Sequence, residues 1–209
     1  MPTILPIGTN GVLVRFGDSL SAEANAAAIG FAAQVEADRP EGVEEVAPGL
    51  VSVLLRTRAG TDFWRLSEEL RLRMAGDVAA SAAQVHEIAV SFDGEDLAEV
   101  AGLTGLDVPG FIARHNAGHL RVLATGFAPG FVYCGFHEAA LIVPRRQSVR
   151  PLVPAGTVLF AAGQTAIAAT PIRTGWHVLG RTGFQNFDPE VTPPTRLMPG
   201  DRIRFTVVS

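Results

Sequence analysis

The chain has 209 residues, 47% of them hydrophobic, and 17 basic residues against 21 acidic ones give a net charge of −4. That balance excludes a general basic field able to gather nucleic acid or an anionic membrane, and the apolar content suffices for one large domain or two small ones, with two as the expectation. All the basic residues are arginine, so no P-loop lysine, Schiff-base lysine or biotin-carrying lysine can act on this chain.

The start, Met1-Pro2-Thr3-Ile4, lacks the basic segment and long apolar run of a secretory signal, which makes the cytoplasm the expected compartment. Two short β-like runs, Ile4–Gly8 and Val12–Gly17, flank the Asn10-Gly11 turn signal and predict a hairpin. Ser19 or Ser21 can cap an alanine-rich helix running to about Asp38, ended by Pro40 and Gly42. Val43–Val46 and Leu50–Leu55 read as strands around Pro48-Gly49. Apolar recurrence at Phe63, Leu66, Leu70 and Met74 then predicts an amphipathic helix. Together these make an α+β layer, with helices on one face of a small antiparallel sheet.

The alanine-rich stretch Asp77–Gln84 reads as a connector, placing the domains at 1–84 and 85–209. Ile88–Phe92 is expected as a strand, followed by helices over Leu97–Leu103 and from Val108 to about Asn116. From Leu120 the pattern changes to short runs separated by Gly and Pro turns: Arg121–Thr125, Thr157–Ala162, Ile167–Thr170, Trp176–Arg181 and Arg202–Val208. This predicts a β-barrel or sandwich. No run approaches the roughly 20 apolar residues that cross a bilayer.

Gly126–Tyr133, GFAPGFVY, has the composition of a rigid loop holding Phe127, Phe131 and Tyr133 beside a ligand, and equally of a packed loop under a barrel. Pro144-Arg145-Arg146 with Arg150 crowds three guanidinium groups, one of which could hold a carboxylate or phosphate, although a solvated loop explains the same composition. Val153–Thr157 enters a strand, and Gly163-Gln164-Thr165 leaves it in a sharp turn exposing two polar side chains, which could bind an oxyanion or amide and could equally be an ordinary hairpin. Alternation in Gly175–Thr182 puts Trp176, Val178 and Gly180 on one face and His177, Leu179 and Arg181 on the other. His115 and His119 have the i, i+4 spacing of helix-borne metal ligands, but Gly118 intervenes and no catalytic Glu is placed beside them, so no metal site is expected. Cys134, the single cysteine, cannot form an internal disulfide and reads as a buried small hydrophobe. Gly105–Pro109 is a turn and helix start, and no glycine-rich nucleotide loop follows any strand.

Taken in order, GFAPGFVY at Gly126–Tyr133, PRR at Pro144–Arg146, VPAGTV at Val153–Val158, GQT at Gly163–Thr165, GWHVLGRT at Gly175–Thr182, FDP at Phe187–Pro189 and PGDRIRF at Pro199–Phe205 resemble one family, that of allophanate hydrolase subunit 1, KipI and the 5-oxoprolinase B subunit. The resemblance implies an N-terminal ferredoxin-like α/β domain and a cyclophilin-like β-barrel, as in carboxyltransferase domains. It also implies a hydrolase role, either in ATP-dependent opening of 5-oxoproline or in related urea and allophanate metabolism. The homologous partner would be of the type of allophanate hydrolase subunit 2 or the 5-oxoprolinase C subunit. ATP would act through the complex, with no metal or covalent cofactor on this chain. A KipI-like member instead binds and inhibits a sensor histidine kinase. The sequence departs from the family where Ala166–Gly175 replaces the usual run after GQT and where Cys134-Gly135-Phe136 follows the tyrosine.

Within that frame a small acid or amide is expected between the Gly126–Tyr133 loop and the Gly163–Thr165 turn. Arg145 would hold its anion, Gln164 and Thr165 its amide. Phe127, Pro129, Tyr133, Trp176 and Arg181 complete the expected binding set, and His115 is the general-base candidate because its reference pKa lies near working pH.

Overall fold

The computed structural model describes residues 2–74 and 83–208 and divides into two compact units, Met1–Ala82 and Ala83–Ser209. The connector expected from Asp77 lies, as far as Ala82, outside the described residues.

In the first unit β1 (Thr3–Ile7) and β2 (Gly11–Arg15) form the expected hairpin, in register from Thr3–Arg15 to Ile7–Gly11. The sheet continues through β4 (Ser52–Thr57) to β3 (Val43–Pro48), in the order β1-β2-β4-β3. Helix α1 (Ala22–Ala37) starts where Ser21 accepts the Ala24 amide at 3.1 Å, so Ser21 rather than Ser19 is the cap. Helix α2 spans Phe63–Met74, as the apolar recurrence predicts. Alternation decides which side of the sheet meets the helices: Val53 and Leu55 are fully buried while Leu54 between them is exposed. They pack with Val12, Val14, Phe31, Val35, Leu66 and Leu70, each full burial contributing about 1.5–3 kcal/mol.

The second unit is built on a seven-stranded sheet in the order β12-β9-β10-β7-β6-β13-β5. Its strands are β5 (Val85–Val90), β6 (Leu120–Thr125), β7 (Val132–Gly135), β9 (Thr157–Ala161), β10 (Gln164–Ile167), β12 (His177–Arg181) and β13 (Arg202–Val207). The chain between β7 and β12 also forms a separate pair, β8 (Arg150–Val153) with β11 (Ile172–Thr174). The edges of the large sheet curl until they meet. Ser91, just past β5, and Arg181 of β12 exchange two backbone hydrogen bonds of 2.9 Å. Glycine is obligatory beside this seam, because a Cβ on Gly180 would lie 2.0 Å from the Ser91 carbonyl oxygen. Helices α3 (Leu97–Leu103) and α4 (Val108–His115), the latter capped by Asp107, bury Leu97, Val100 and Phe111 in the cluster that holds Val122, Cys134, Phe160, Ile167 and Phe205.

Three strands escape the sequence reading and one is displaced. Val132–Gly135, Arg150–Val153 and Ile172–Thr174 are short and lie in turn-like composition. The strand expected at Ile167–Thr170 instead occupies Gln164–Ile167. The chain reverses in two residues, Ala162 and Gly163, both left-handed at φ 51° and 70°, the backbone of a tight hairpin turn. Gln164 and Thr165 therefore belong to a strand and are buried, which corrects their expected place in an exposed turn.

Candidate functional site

Strand β10 divides the expected site between two faces. Its register sets Thr165 opposite Cys134 and Ala166 opposite Tyr133. Since directly paired residues share a face and neighbours alternate, Thr165 points with Cys134 toward α3 and α4. Gln164 lies with Ala166 and Tyr133 on the opposite side.

On the helix side, the hydroxyl of Thr165 stands 2.7 Å from His115 Nε2 and 2.8 Å from His137 Nε2. His115 Nδ1 is 2.6 Å from the Asn116 amide oxygen. An amide oxygen only accepts, so Nδ1 carries the proton and Nε2 accepts from Thr165, whose oxygen in turn accepts from His137 Nε2–H. The two imidazoles stack at 4.6 Å among Phe92, Phe111, Phe160 and Phe205. Burial pushes His115 down to about 4. Burial, with the neighbouring His115, pushes His137 down to about 3. His115 is 1% exposed, so burial sets it below the working-pH range on which the expected general-base role rests. His119 is exposed and does not share that environment. Cys134 is buried, which raises its thiol pKa far above the nucleophilic range. His137 is a member of the cluster that sequence reasoning misses, because an isolated histidine after an aromatic run carries no spacing signal.

The opposite face holds a row of aromatic rings. Phe127 meets Phe131 at 5.4 Å, Phe131 meets Tyr133 at 4.8 Å, and Tyr133 meets Trp176 at 5.9 Å. The Arg145 guanidinium lies 5.7 Å over the Trp176 ring. Burial raises the Tyr133 phenol pKa while the charge of Arg145 opposes that rise. Arg145 is exposed, and among the described residues no carboxylate pairs with it. Phe127 is 74% exposed and held at φ 74°, a conformation that costs a bulky residue about 1–3 kcal/mol. Pro129 is exposed beside it. Gln164 is 6% exposed, and its Nε2 has no hydrogen-bond partner. The structure thus brings together Arg145, Trp176, Tyr133 and Phe127, with Gln164 on the same side of the sheet. It sets His115 and Thr165 behind them. Arg181 is tied to Asp93 at 2.9 Å beside the seam.

Asp96, at the N-terminal end of α3, organises the arginine segment. Its Oδ2 accepts the Val178 amide at 2.8 Å, while Oδ1 accepts from Arg150 at 2.6 Å and from Arg146. Burial disfavours the charged carboxylate. The hydrogen bonds from Arg150 and Val178, with the charges of Arg150 and Arg146, outweigh burial and hold Asp96 below the usual carboxylate range. Ligand atoms of Asp96, Glu99 and His177 lie within 4.8 Å of one another, and the Arg146 guanidinium reaches both carboxylates, the second at 3.9 Å. A cation equivalent therefore already fills that cluster. A surface pocket of about 370 Å³ lies alongside, lined by Arg145, Arg146, Ser148 and His177.

Known proteins resemble this chain in sequence and in fold. Residues 2–197 match the family model described as carboxyltransferase domain, subdomain C and D. The chain is 30% identical over 220 residues to the 5-oxoprolinase B subunit of Bacillus subtilis (strain 168), covering 97% of this chain and 91% of that protein. With the 5-oxoprolinase B subunit of Escherichia coli O157:H7 the identity is 33% over 178 residues, or 83% and 81% of the two chains. Among solved structures, TTHA0988 matches at a TM-score of 0.82 and 37% identity over 96% of this chain, which spans only 40% of that protein. The Kluyveromyces lactis urea carboxylase shares the fold, with a TM-score of 0.77 at 15% identity, and this chain spans 22% of it.

Proposed function

The chain belongs to the 5-oxoprolinase B-subunit family, and from that membership we propose that it serves as one subunit of an ATP-dependent complex that opens a small lactam or amide. The observation that carries the reading is the two-way match to the Bacillus subtilis protein, near full length in both chains. The chain's span of 40% of TTHA0988 supports a second polypeptide beside it, of the type of allophanate hydrolase subunit 2 or the 5-oxoprolinase C subunit. With no lysine and no glycine-rich phosphate loop in its sequence, the chain has neither element of a P-loop, which supports ATP acting through the complex.

The ligand face is the aromatic row, not the histidine cluster. Tyr133 and Trp176 supply a flat wall, Arg145 supplies a fork for a carboxylate, and Gln164 supplies an unpaired amide donor. The unit architectures fit the expected domains. β2-α1-β3-β4-α2 follows a ferredoxin-like order with β1 at the sheet edge, and the curled seven-stranded sheet suits a cyclophilin-like barrel. Among the described residues no helix is long and apolar enough to cross a membrane.

The test is to co-express the chain with its second subunit and the remaining lactamase subunit and to measure ATP-dependent 5-oxoproline hydrolysis. Activity should require the full assembly. Turnover by the purified chain alone overturns the proposed division of labour. A chain that adds nothing to hydrolysis but slows autophosphorylation of a sensor histidine kinase establishes the kinase-inhibitor alternative instead.

A further inference from the structure

The arginine segment is fastened to the segment that carries Trp176 on both sides of Arg145. Before it, the Pro144 carbonyl accepts from His177 Nε2–H at 3.0 Å. After it, the Arg146 amide donates to the Gly175 carbonyl at 2.8 Å. The third fastening is Asp96, whose two oxygens join different parts of the fold: one takes the Val178 amide of β12, the other the guanidinium groups of Arg146 and Arg150. Asp96 is itself held by the backbone. Its amide donates to the Val178 carbonyl at 3.2 Å, and a Cβ on Gly94, two residues earlier, would lie 2.3 Å from the Val178 oxygen, so the turn is pressed against the strand. Asp96 is 4% exposed, whereas Arg145 is exposed, with its guanidinium over the Trp176 ring.

We propose that Asp96 is the positioning residue for Arg145. By locking Arg146 and Arg150 onto β12, its carboxylate fixes where the intervening chain presents the Arg145 fork over Trp176. Asp96 touches no ligand and acts through the segment it holds. This assignment rests on the reading that Arg145 binds the substrate's carboxylate.

The experiment is a double-mutant cycle of Asp96→Asn and Arg145→Ala in the assembled complex, read as KM against kcat for 5-oxoproline. Arg145→Ala should raise KM about ten- to a hundredfold. Asp96→Asn should raise it about tenfold with kcat nearly kept, as for a displaced binding group. The double variant should be no worse than Arg145→Ala, because without Arg145 there is nothing to position. A second readout needs only the folded chain. In a Trp64→Phe background Trp176 is the one remaining tryptophan, and Asp96→Asn should move its emission to the value seen with Arg145→Ala. An unchanged KM in Arg145→Ala overturns the reading of the binding face. A raised KM there with none in folded Asp96→Asn, or effects that multiply in the double variant, overturns the positioning role. If Asp96→Asn does not fold, Arg150→Gln takes its place in the same cycle and should give a smaller rise that also vanishes without Arg145.

Discussion

Gln164 and Thr165 are consecutive residues of one strand with opposite circumstances. Thr165 is fully buried with its hydroxyl shared by two histidines, while the Gln164 amide nitrogen meets no partner. The face toward the helices ties the Thr165 hydroxyl into a chain with His115, His137 and Asn116, and of these groups the Asn116 amide nitrogen is left without a partner. The aromatic face carries an unpaired arginine fork, an orphan amide and a strained exposed phenylalanine. Proteins commit most of their polar groups to themselves; a leftover amide and an arginine fork gathered beside exposed aromatic rings offer handholds to a second molecule.

The comparison breaks most visibly at Phe160, whose ring meets Phe111, His115 and His137 on the helix side. Phe160→Ala should cost about 3–5 kcal/mol, read as a large fall in melting temperature. Arg145→Ala should instead leave melting nearly unchanged, because an exposed charge is worth at most about 1 kcal/mol to folding. Its loss shows in ligand binding, weaker by about 1.5–3 kcal/mol in calorimetry on the assembled complex. Lysine should restore only part of that, since an ammonium lacks the planar fork.

Thr165→Val should destabilise by about 1–3 kcal/mol, leaving both histidines without their shared hydroxyl. Acid sharpens the same point. His115 and His137 are held at about 4 and about 3 in the folded chain against an ordinary value of 6.5. Both are neutral when folded, so their contribution is fully present above about pH 6.5 and is lost as the unfolded chain takes up protons on descent toward pH 4. Melting temperature measured from pH 7 to 4 should fall, and His137→Phe should flatten the slope. The smallest effect belongs to Gln164→Leu, which removes an unpaired donor and should change stability by less than about 1 kcal/mol while weakening ligand binding. A Gln164→Leu chain that melts like Thr165→Val would erase the distinction between the faces.

Much of the fold is legible because periodicity is local. Phe63, Leu66, Leu70 and Met74 define α2 by spacing alone. The displacement of β10 has an equally local cause: Ala162 adopts a left-handed turn conformation with no side-chain signature, so the glutamine and threonine after it read as the turn. Family resemblance locates GQT and PRR but does not say that adjacent residues of GQT face opposite ways. That follows from register, which is set by Cys134 and Tyr133 on another strand. Asp96 is illegible for the same reason, since its partners stand 50, 54 and 82 residues away in the chain.

The placing of β13 bears on how the protein is made. It lies between β6 and β5, pairing with β5 in parallel over the whole span from Arg202–Val85 to Val207–Val90. A ribosome-bound chain that has not yet released residues 202–207 holds β5 with no ladder partner along its length, fastened near its end by the Ser91–Arg181 bridge and by the Thr182 hydroxyl on the Ala89 carbonyl. The first unit needs nothing beyond Met74 among its described residues to complete its sheet and both helices. The nascent protein therefore folds its first unit early and carries the second with an open flank until the last strand emerges, a long-range closure that is intrinsically slow.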